Sequence, residues 1–438
     1  MKQTAERVFR ETLAAIDIPG AMERKLGRSG SSIAAGEGRI DLRDFDSIVA
    51  IAFGKASQAM ARGLVNVLAD DFPIDGILIV PAALPAAMPD WEVFRGGHPL
   101  PNAESFAAGR AVLERLARCD PSTLIFFLIS GGGSSMVEQP LDPNLTLADF
   151  DELNAALITC GAPIDEINAV RKHLSATKGG RLAAAAPFST KLTLAISDVP
   201  AGQESALASG PTLPDPTTIH DAQRIVRQYD LLPRFPPLAR EAFERHSLRE
   251  TPKPGHACFG LAHFEVLLSA HDLTHAAHRA CEAEGYRSIC DNSTDNGPID
   301  RASDFLLGQL EAHSRANPGH RVAVLCEGEL SSPVMGDGVG GRNAAFVLAC
   351  APKIAGKGIT VLSAGTDGID GNSPAAGAVA DGKTLLRARA LGLDIVDFQR
   401  RSDSYNFFAQ LGDAILTGPT GNNLRDLRIL MAEPDIRA

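Results

Sequence analysis

Thr123–Met136 reads TLIFFLISGGGSSM, an unbroken apolar run that stops at a serine, three glycines and two more serines. A short run that is apolar at every position, not at alternate ones, is the mark of a strand covered on both faces. Three other segments share it: Ser47–Gly54 (SIVAIAFG), Gly76–Pro81 (GILIVP) and Lys191–Val199 (KLTLAISDV). Helix-period stretches such as Glu104–Cys119 lie between them, and that alternation predicts parallel sheet with helices on both sides. A segment rich in proline and charge, Leu213–Gly255, interrupts the pattern and reads as an interdomain connection. Beyond it, strands are expected at Phe264–Leu268, Arg321–Cys326, Gly358–Ala364 and Leu427–Met431. The expectation is an α/β protein of two α/β domains, residues 1–250 and 251–438. Their sheets are expected to be mainly parallel and helix-covered, with a ligand cleft between the domains.

The bulk properties fit a chain with a sizeable core. Of 438 residues, 45% are apolar and 22% charged. The formal net charge of −11 argues against a nucleic-acid partner, since phosphate-backbone binding needs a basic face. No stretch reaches the roughly 18 apolar residues of a membrane span. Met1–Asp17 reads as an amphipathic helix, not as a signal peptide. Seven cysteines without a CxxC pair fit reduced thiols in a cytoplasm and speak against structural zinc or a disulfide framework.

Ligands of parallel sheets sit at the carboxyl ends of the strands. Those ends here are rich in glycine and polar residues: Gly54-Lys55-Ala56-Ser57, Ser130-Gly131-Gly132-Gly133-Ser134-Ser135, and Asp198 with a loop closing at Ser209-Gly210-Pro211-Thr212. The second half adds Gly340-Gly341-Arg342-Asn343, Gly365–Gly371 and Thr417–Gly421. Successive glycines let backbone N–H groups converge on an anion, so Ser130–Ser135 is the candidate phosphate cradle. Cations stand beside these turns: Lys55, Arg342, and the run Arg171, Lys172, His173, Lys178 and Arg181. Lys178 is expected at the phosphates, and Arg171 and Asn343 at the substrate. Asp198, Asp367 and Asp370 offer carboxylates at strand ends, and Asp198 and Asp367 are the candidate ligands of Mg²⁺. Each feature alone has a plainer reading: a tight turn, a solvated basic helix face, a capping carboxylate. Their coincidence suits phosphoryl transfer, in which a protein mainly positions groups and neutralises charge.

Other motifs fall short. GxxxxGK[ST] is absent, and Met136 breaks a GxSxG elbow. Ser175–Lys178 matches SxxK without partner motifs. His271, His275 and His278 share a helix face but lack the glutamate of HExxH. Gly336–Gly341 satisfies GxGxxG, yet the strand before it ends about ten residues too early for a dinucleotide fingerprint. A nicotinamide-dependent reductase is therefore the runner-up.

Longer words carry a resemblance. GKAS at Gly54–Ser57, GGHPLPNAES at Gly96–Ser105, LISGGGSSM at Leu128–Met136, NAVRKHLSATKGGRLA at Asn168–Ala183 and SGPTLPDPTT at Ser209–Thr218 run in one order. GVGGRN at Gly338–Asn343, AGTDGIDG at Ala364–Gly371, and DSYNFFAQLGD with TGPTGNN at Asp403–Asn423 continue it. Together they resemble the glycerate 2-kinase family, whose C-terminal part is known as the MOFRL domain. The resemblance implies a Rossmann-like N-terminal domain and phosphorylation of D-glycerate to 2-phosphoglycerate with ATP and Mg²⁺. The family's catalytic lysine and arginine fall on Lys55 and Arg342. Its members are often labelled hydroxypyruvate reductases, so NAD(P)H-dependent hydroxypyruvate reduction is the alternative activity, beside a kinase for a related small hydroxy acid. Two departures bear on the substrate: Ala344-Ala345 where members commonly read Gln-Glu, and Ala201-Gly202-Gln203-Glu204 where they carry acidic residues. The expected partners are ATP and a small hydroxy acid, with no nucleic acid and no membrane. The oligomeric state stays open, a homodimer included.

Overall fold

Six strands of the first half lie side by side and all point the same way: β3 (Ser47–Phe53), β4 (Ile74–Pro81), β5 (Glu92–Gly96), β6 (Thr123–Ile129), β7 (Thr190–Ile196) and β8 (Ala262–Leu268). They follow a small hairpin, β1 (Ser32–Ala35) and β2 (Gly38–Asp41). This computed structural model describes residues 1–68, 71–82, 84, 88–200 and 202–434. The spatial order is β5-β4-β3-β6-β7-β8. The chain steps outward from β3 to β5, returns to lay β6 on the other side of β3, and then continues to β8. That is the strand order of dinucleotide-binding doubly wound sheets.

Burial on both faces explains the unbroken apolar runs. Val49, Ile51, Phe53, Ile125, Phe127 and Ile129 pack with Ala108, Val112 and Leu116 of the helix Ala103–Leu116. The alternate residues Ala50, Ala52, Leu124, Phe126 and Leu128 are also fully buried, and the helix Ser57–Leu68 lies against β3, β4 and β6. Truncating a side chain such as Phe127 to alanine would cost about 3–5 kcal/mol.

The contacts divide the chain into Ile18–Leu268 and a second unit made of Met1–Asp17 with Ser269–Ala438. This differs from the expected division at residue 250 in two respects. Strand β8 pairs with β7 and completes the first sheet. The N-terminal helix Lys2–Ala15 joins the second unit, with Arg7 paired to Glu284 at 2.6 Å and Lys2 to Asp413 at 2.8 Å. Leu213–Gly255 is not a connection between domains. It forms the helices Ile219–Gln228 and Pro237–Glu244, whose Ala222, Ile225, Val226 and Phe243 share a core with Phe150, Leu153 and Val170. Pro236 and Pro237 start the second of these helices, because a proline in the first turn loses no hydrogen bond and arrives with a helical φ.

The second sheet has the order β13-β12-β11-β14-β10-β9, with β9 (Arg287–Cys290), β10 (Val322–Glu327), β11 (Ile359–Gly365), β12 (Gly377–Asp381), β13 (Ala414–Ile415) and β14 (Asp426–Ala432). Only β9 and β10 run parallel; the other four pairings are antiparallel. Counted over both six-stranded sheets, parallel pairings prevail, but this sheet is mixed. Every residue of β11 and β14 is buried. Helices Ile299–Ala316 and Arg342–Cys350 supply the core on one face, and Lys2–Ala15 and Ala270–Ala283 lie on the sheet as well. An all-apolar strand thus reports two covered faces and says nothing of direction. No helix among the described residues is long and apolar enough to cross a membrane.

Candidate active site

In the first unit the strand order reverses between β3 and β6, and the crevice of a doubly wound sheet opens at the carboxyl ends of those two strands. Gly54–Ser57 leaves β3 there, and Ser130–Ser135 leaves β6. The two turns are tied together. Ser130 N–H donates to Phe53 O at 3.1 Å and Lys55 N–H to Gly131 O at 3.0 Å. Ala56 N–H donates to Ser130 Oγ at 3.0 Å. Gly132 has φ +81°, and a Cβ built on it would stand 3.1 Å from Met136 Cε and 3.4 Å from both His98 Nδ1 and Lys55 Cγ. Only a residue without a side chain leaves that space open, so the turn forms a cradle walled by Lys55, His98 and Met136.

His98 is a site neighbour that residue-type reasoning passed over; its Nδ1 lies 3.3 Å from Ser135 Oγ. Its one signal was its place directly after the glycines at the end of β5. Ser134 Oγ lies 2.8 Å from Ser209 Oγ. Ala208 and Ser209 both have left-handed backbones, φ 48° and 62°. Non-glycine residues held so cost about 1–3 kcal/mol each, and such strain clusters at functional sites.

Two expected ligand cations sit differently. Lys178 is buried, with Nζ 2.7 Å from Ser134 O and 2.5 Å from Glu138 Oε2. Burial lowers its pKa, against the pull of Glu138. It therefore braces the turn through the Ser134 carbonyl, with Glu138 holding its charge. Arg171 is half-buried, donates from Nε to Asn154 Oδ1 at 3.0 Å, and is lowered by burial. Lys172 is tied to Asp215 at 3.1 Å. Asp198 stands half-buried two residues past the end of β7.

In the second unit Arg342 opens the helix Arg342–Cys350. Its Nε lies 2.5 Å from Asp426 Oδ2, and its Nη2 is 2.8 Å from Glu329 Oε1. Burial works against the guanidinium charge, but Asp426 and Glu329 outweigh it and hold Arg342 above its usual range. Asp370 is buried beneath the same helix start. It accepts from Asn343 N at 3.0 Å and Ala344 N at 2.8 Å, which satisfies two of the helix's orphan donors. Burial lifts its carboxyl to about 7 although those donors pull the other way, and the charge of Asp426 adds to the rise.

Asn343, expected at the substrate, is buried and engages Asp370 and Ser363 Oγ, the latter at 2.6 Å. At the first departure Ala344 contributes its backbone N–H to Asp370; of the second, Ala201 lies outside the described residues. Asp367 Oδ1 accepts from Ile369 N at 3.1 Å. The two expected metal carboxylates, Asp198 and Asp367, belong to different units. Among the described residues no three His, Cys, Asp or Glu side chains gather as a metal site.

Asp426 and Glu329 were not foreseen. Asp426 begins β14, and a parallel β14 would have carried it to the far edge of the sheet. Running antiparallel, it falls opposite Gly365 at the end of β11. The GxGxxG word Gly336–Gly341 lies in a loop well past β10, with Gly338 N–H on Arg401 O and Val339 N–H on Asp403 Oδ1, both at 2.9 Å. It lacks the strand–turn–helix setting of a pyrophosphate turn.

Comparison with known proteins adds an independent line. Residues 4–244 match the model of a domain of unknown function, DUF4147, and residues 322–426 match the MOFRL family. A D-glycerate 2-kinase of Thermotoga maritima is 32% identical over 391 residues, covering 88% of this chain and 91% of that one. A putative hydroxypyruvate reductase of Agrobacterium vitis is 36% identical over 390 residues, 87% of this chain and 86% of that one. The crystal structure of a glycerate kinase from Thermotoga maritima superposes with a TM-score of 0.82 at 29% identity, over 98% of this chain and 99% of that one.

Proposed function

Because the chain belongs to the glycerate kinase family, we propose that it transfers the γ-phosphoryl of ATP to the 2-hydroxyl of D-glycerate, yielding 2-phosphoglycerate and ADP. One observation carries the reading: the open glycine cradle at Gly132 lies at the switch point of the parallel sheet, with Lys55 on its wall. Oriented backbone N–H groups there would hold phosphate oxygens without side chains. Lys55 would meet the negative charge that spreads over the transferred group, an interaction worth more in the transition state than in the ground state. Mg²⁺, when bound, would neutralise phosphate charge. It commonly needs only one or two carboxylates beside the phosphates, and Asp198 at the end of neighbouring β7 is the first-unit candidate. Arg342, clamped by Asp426 and Glu329, would act in a fixed orientation. The reductase reading has the name of a relative in its favour, but the GxGxxG word Gly336–Gly341 begins nine residues past the end of β10 and does not follow a strand directly.

A coupled assay for ADP, run beside NADH absorbance with hydroxypyruvate, tests the proposal. ADP release should require D-glycerate and stop in EDTA. NADH oxidation without ADP release would reject it.

A further inference from the structure

We propose that the buried Lys178–Glu138 ion pair positions the phosphate turn Ser130–Ser135, setting nucleotide binding without touching the nucleotide; this rests on the turn being the nucleotide site. The two side chains are only 3% and 6% exposed. The ammonium spans Glu138 Oε2 at 2.5 Å and the carbonyl of Ser134 at 2.7 Å, the residue directly after the three glycines. The other carboxylate oxygen accepts from Ser175 Oγ at 2.5 Å. Holding that carbonyl fixes the peptide planes leading out of the cradle.

The surrounding bonds repeat the arrangement. Ala176 N–H donates to Gln139 O at 2.7 Å, and Thr177 Oγ1 to Val137 O at 3.0 Å. Gly179 N–H meets Ser209 O at 3.0 Å, and Ser209 Oγ in turn meets Ser134 Oγ. Residues 176–179 thus bond to Val137 and Gln139, just past the turn, and to Ser209, whose hydroxyl meets Ser134; Lys178 is where they reach the turn itself. That contact is the one among them that uses a charge. A buried pair of this kind is poor at stabilising a fold, because desolvation offsets most of the attraction and an apolar pair of similar size does as well. What an apolar pair cannot do is hold the Ser134 carbonyl.

That difference supplies the test. The double variant Lys178→Met with Glu138→Leu removes the charges together and leaves neither buried alone, so the protein should stay folded, with a melting temperature lowered only by the few degrees that the freed Ser134 carbonyl and Ser175 hydroxyl cost. Its kcat/KM for ATP should fall about ten- to hundredfold, the scale of an ångström-level misplacement, while KM for glycerate stays within about twofold. Should the double variant not fold, Glu138→Gln keeps the shape and acceptor but removes the charge that fixes the ammonium. A rise of at least about threefold in KM for ATP is then expected. A folded double variant with wild-type ATP kinetics, or an unchanged Glu138→Gln, overturns the proposal. Gly132→Val is the control. If it leaves ATP binding intact, the nucleotide reading of the turn is at fault, and not the role of the pair.

Discussion

Lys55 and Arg342 are both cations at glycine turns on sheet edges, yet their surroundings differ in kind. Lys55 follows β3 in an all-parallel sheet, and it is the backbone of its turn that is locked to the neighbouring strand's turn. Arg342 sits on a mixed sheet, where an antiparallel strand delivers Asp426 to the same edge and Glu329 closes the other side. One cation borders an open cradle; the other belongs to a charge cluster the fold itself holds together. The same sequence signal thus covers a cation on the wall of a glycine cradle and a cation whose loss leaves a buried carboxylate without its partner.

Replacement separates the two. Lys55→Ala should lower kcat by about 10²–10³, the usual loss for one preorganised donor, with a smaller drop in melting temperature than Arg342→Ala. Lys55→Arg keeps charge but cannot take up a proton near neutral pH, so recovery in it would mark Lys55 as a charge clamp and not a base. Arg342→Ala leaves the buried Asp426 carboxylate without its partner. The expected cost is about 3 kcal/mol, the low end for a broken buried pair because Arg342 opens partly to solvent. Adding Asp426→Asn should restore the melting temperature and not the activity. Equal melting temperatures for Lys55→Ala and Arg342→Ala would erase the contrast.

Gly132→Val probes the open side of the comparison. A β-branched residue at φ +81° costs about 1–2 kcal/mol in backbone strain and fills the cradle, so ATP should bind more than about tenfold more weakly in a folded protein. Unchanged ATP affinity would remove the turn from the site.

Asp370 probes the clamped side through pH. Its carboxyl is lifted to about 7, against about 3.9 for an ordinary aspartate. Between those values the folded protein holds a proton that the unfolded chain releases. The contribution to stability is full below about pH 4 and fades as pH rises towards 7. Wild type should therefore lose melting temperature over that range relative to Asp370→Asn. Parallel pH profiles for the two proteins would contradict the assignment.

What could be read in the sequence follows the same divide. The all-apolar runs announced strands covered on both faces, and the turns of the parallel sheet were legible because strand direction and site edge go together there. In the second unit the run at Leu427–Met431 announced a covered strand equally well. Its direction depends on what it pairs with, so the carboxylate partners of Arg342 could not be foreseen. The basic word NAVRKHLSATKGGRLA announced cations but not their partners, for a related reason. Lys172 and Lys178 stand beside Asp215 and Glu138, about forty residues away along the chain. Pro236 and Pro237 start a helix whose Phe243 shares a core with Phe150 and Leu153, a packing that no local pattern discloses.

The proposed chemistry is tested most directly by ³¹P NMR of a mixture of the protein, ATP, Mg²⁺ and D-glycerate. The account predicts that the γ-phosphate signal is replaced by those of ADP and 2-phosphoglycerate in equal amounts, and that Lys55→Ala slows this by two orders of magnitude or more. Appearance of 3-phosphoglycerate as the first product, or free phosphate with glycerate left unmodified, would contradict it.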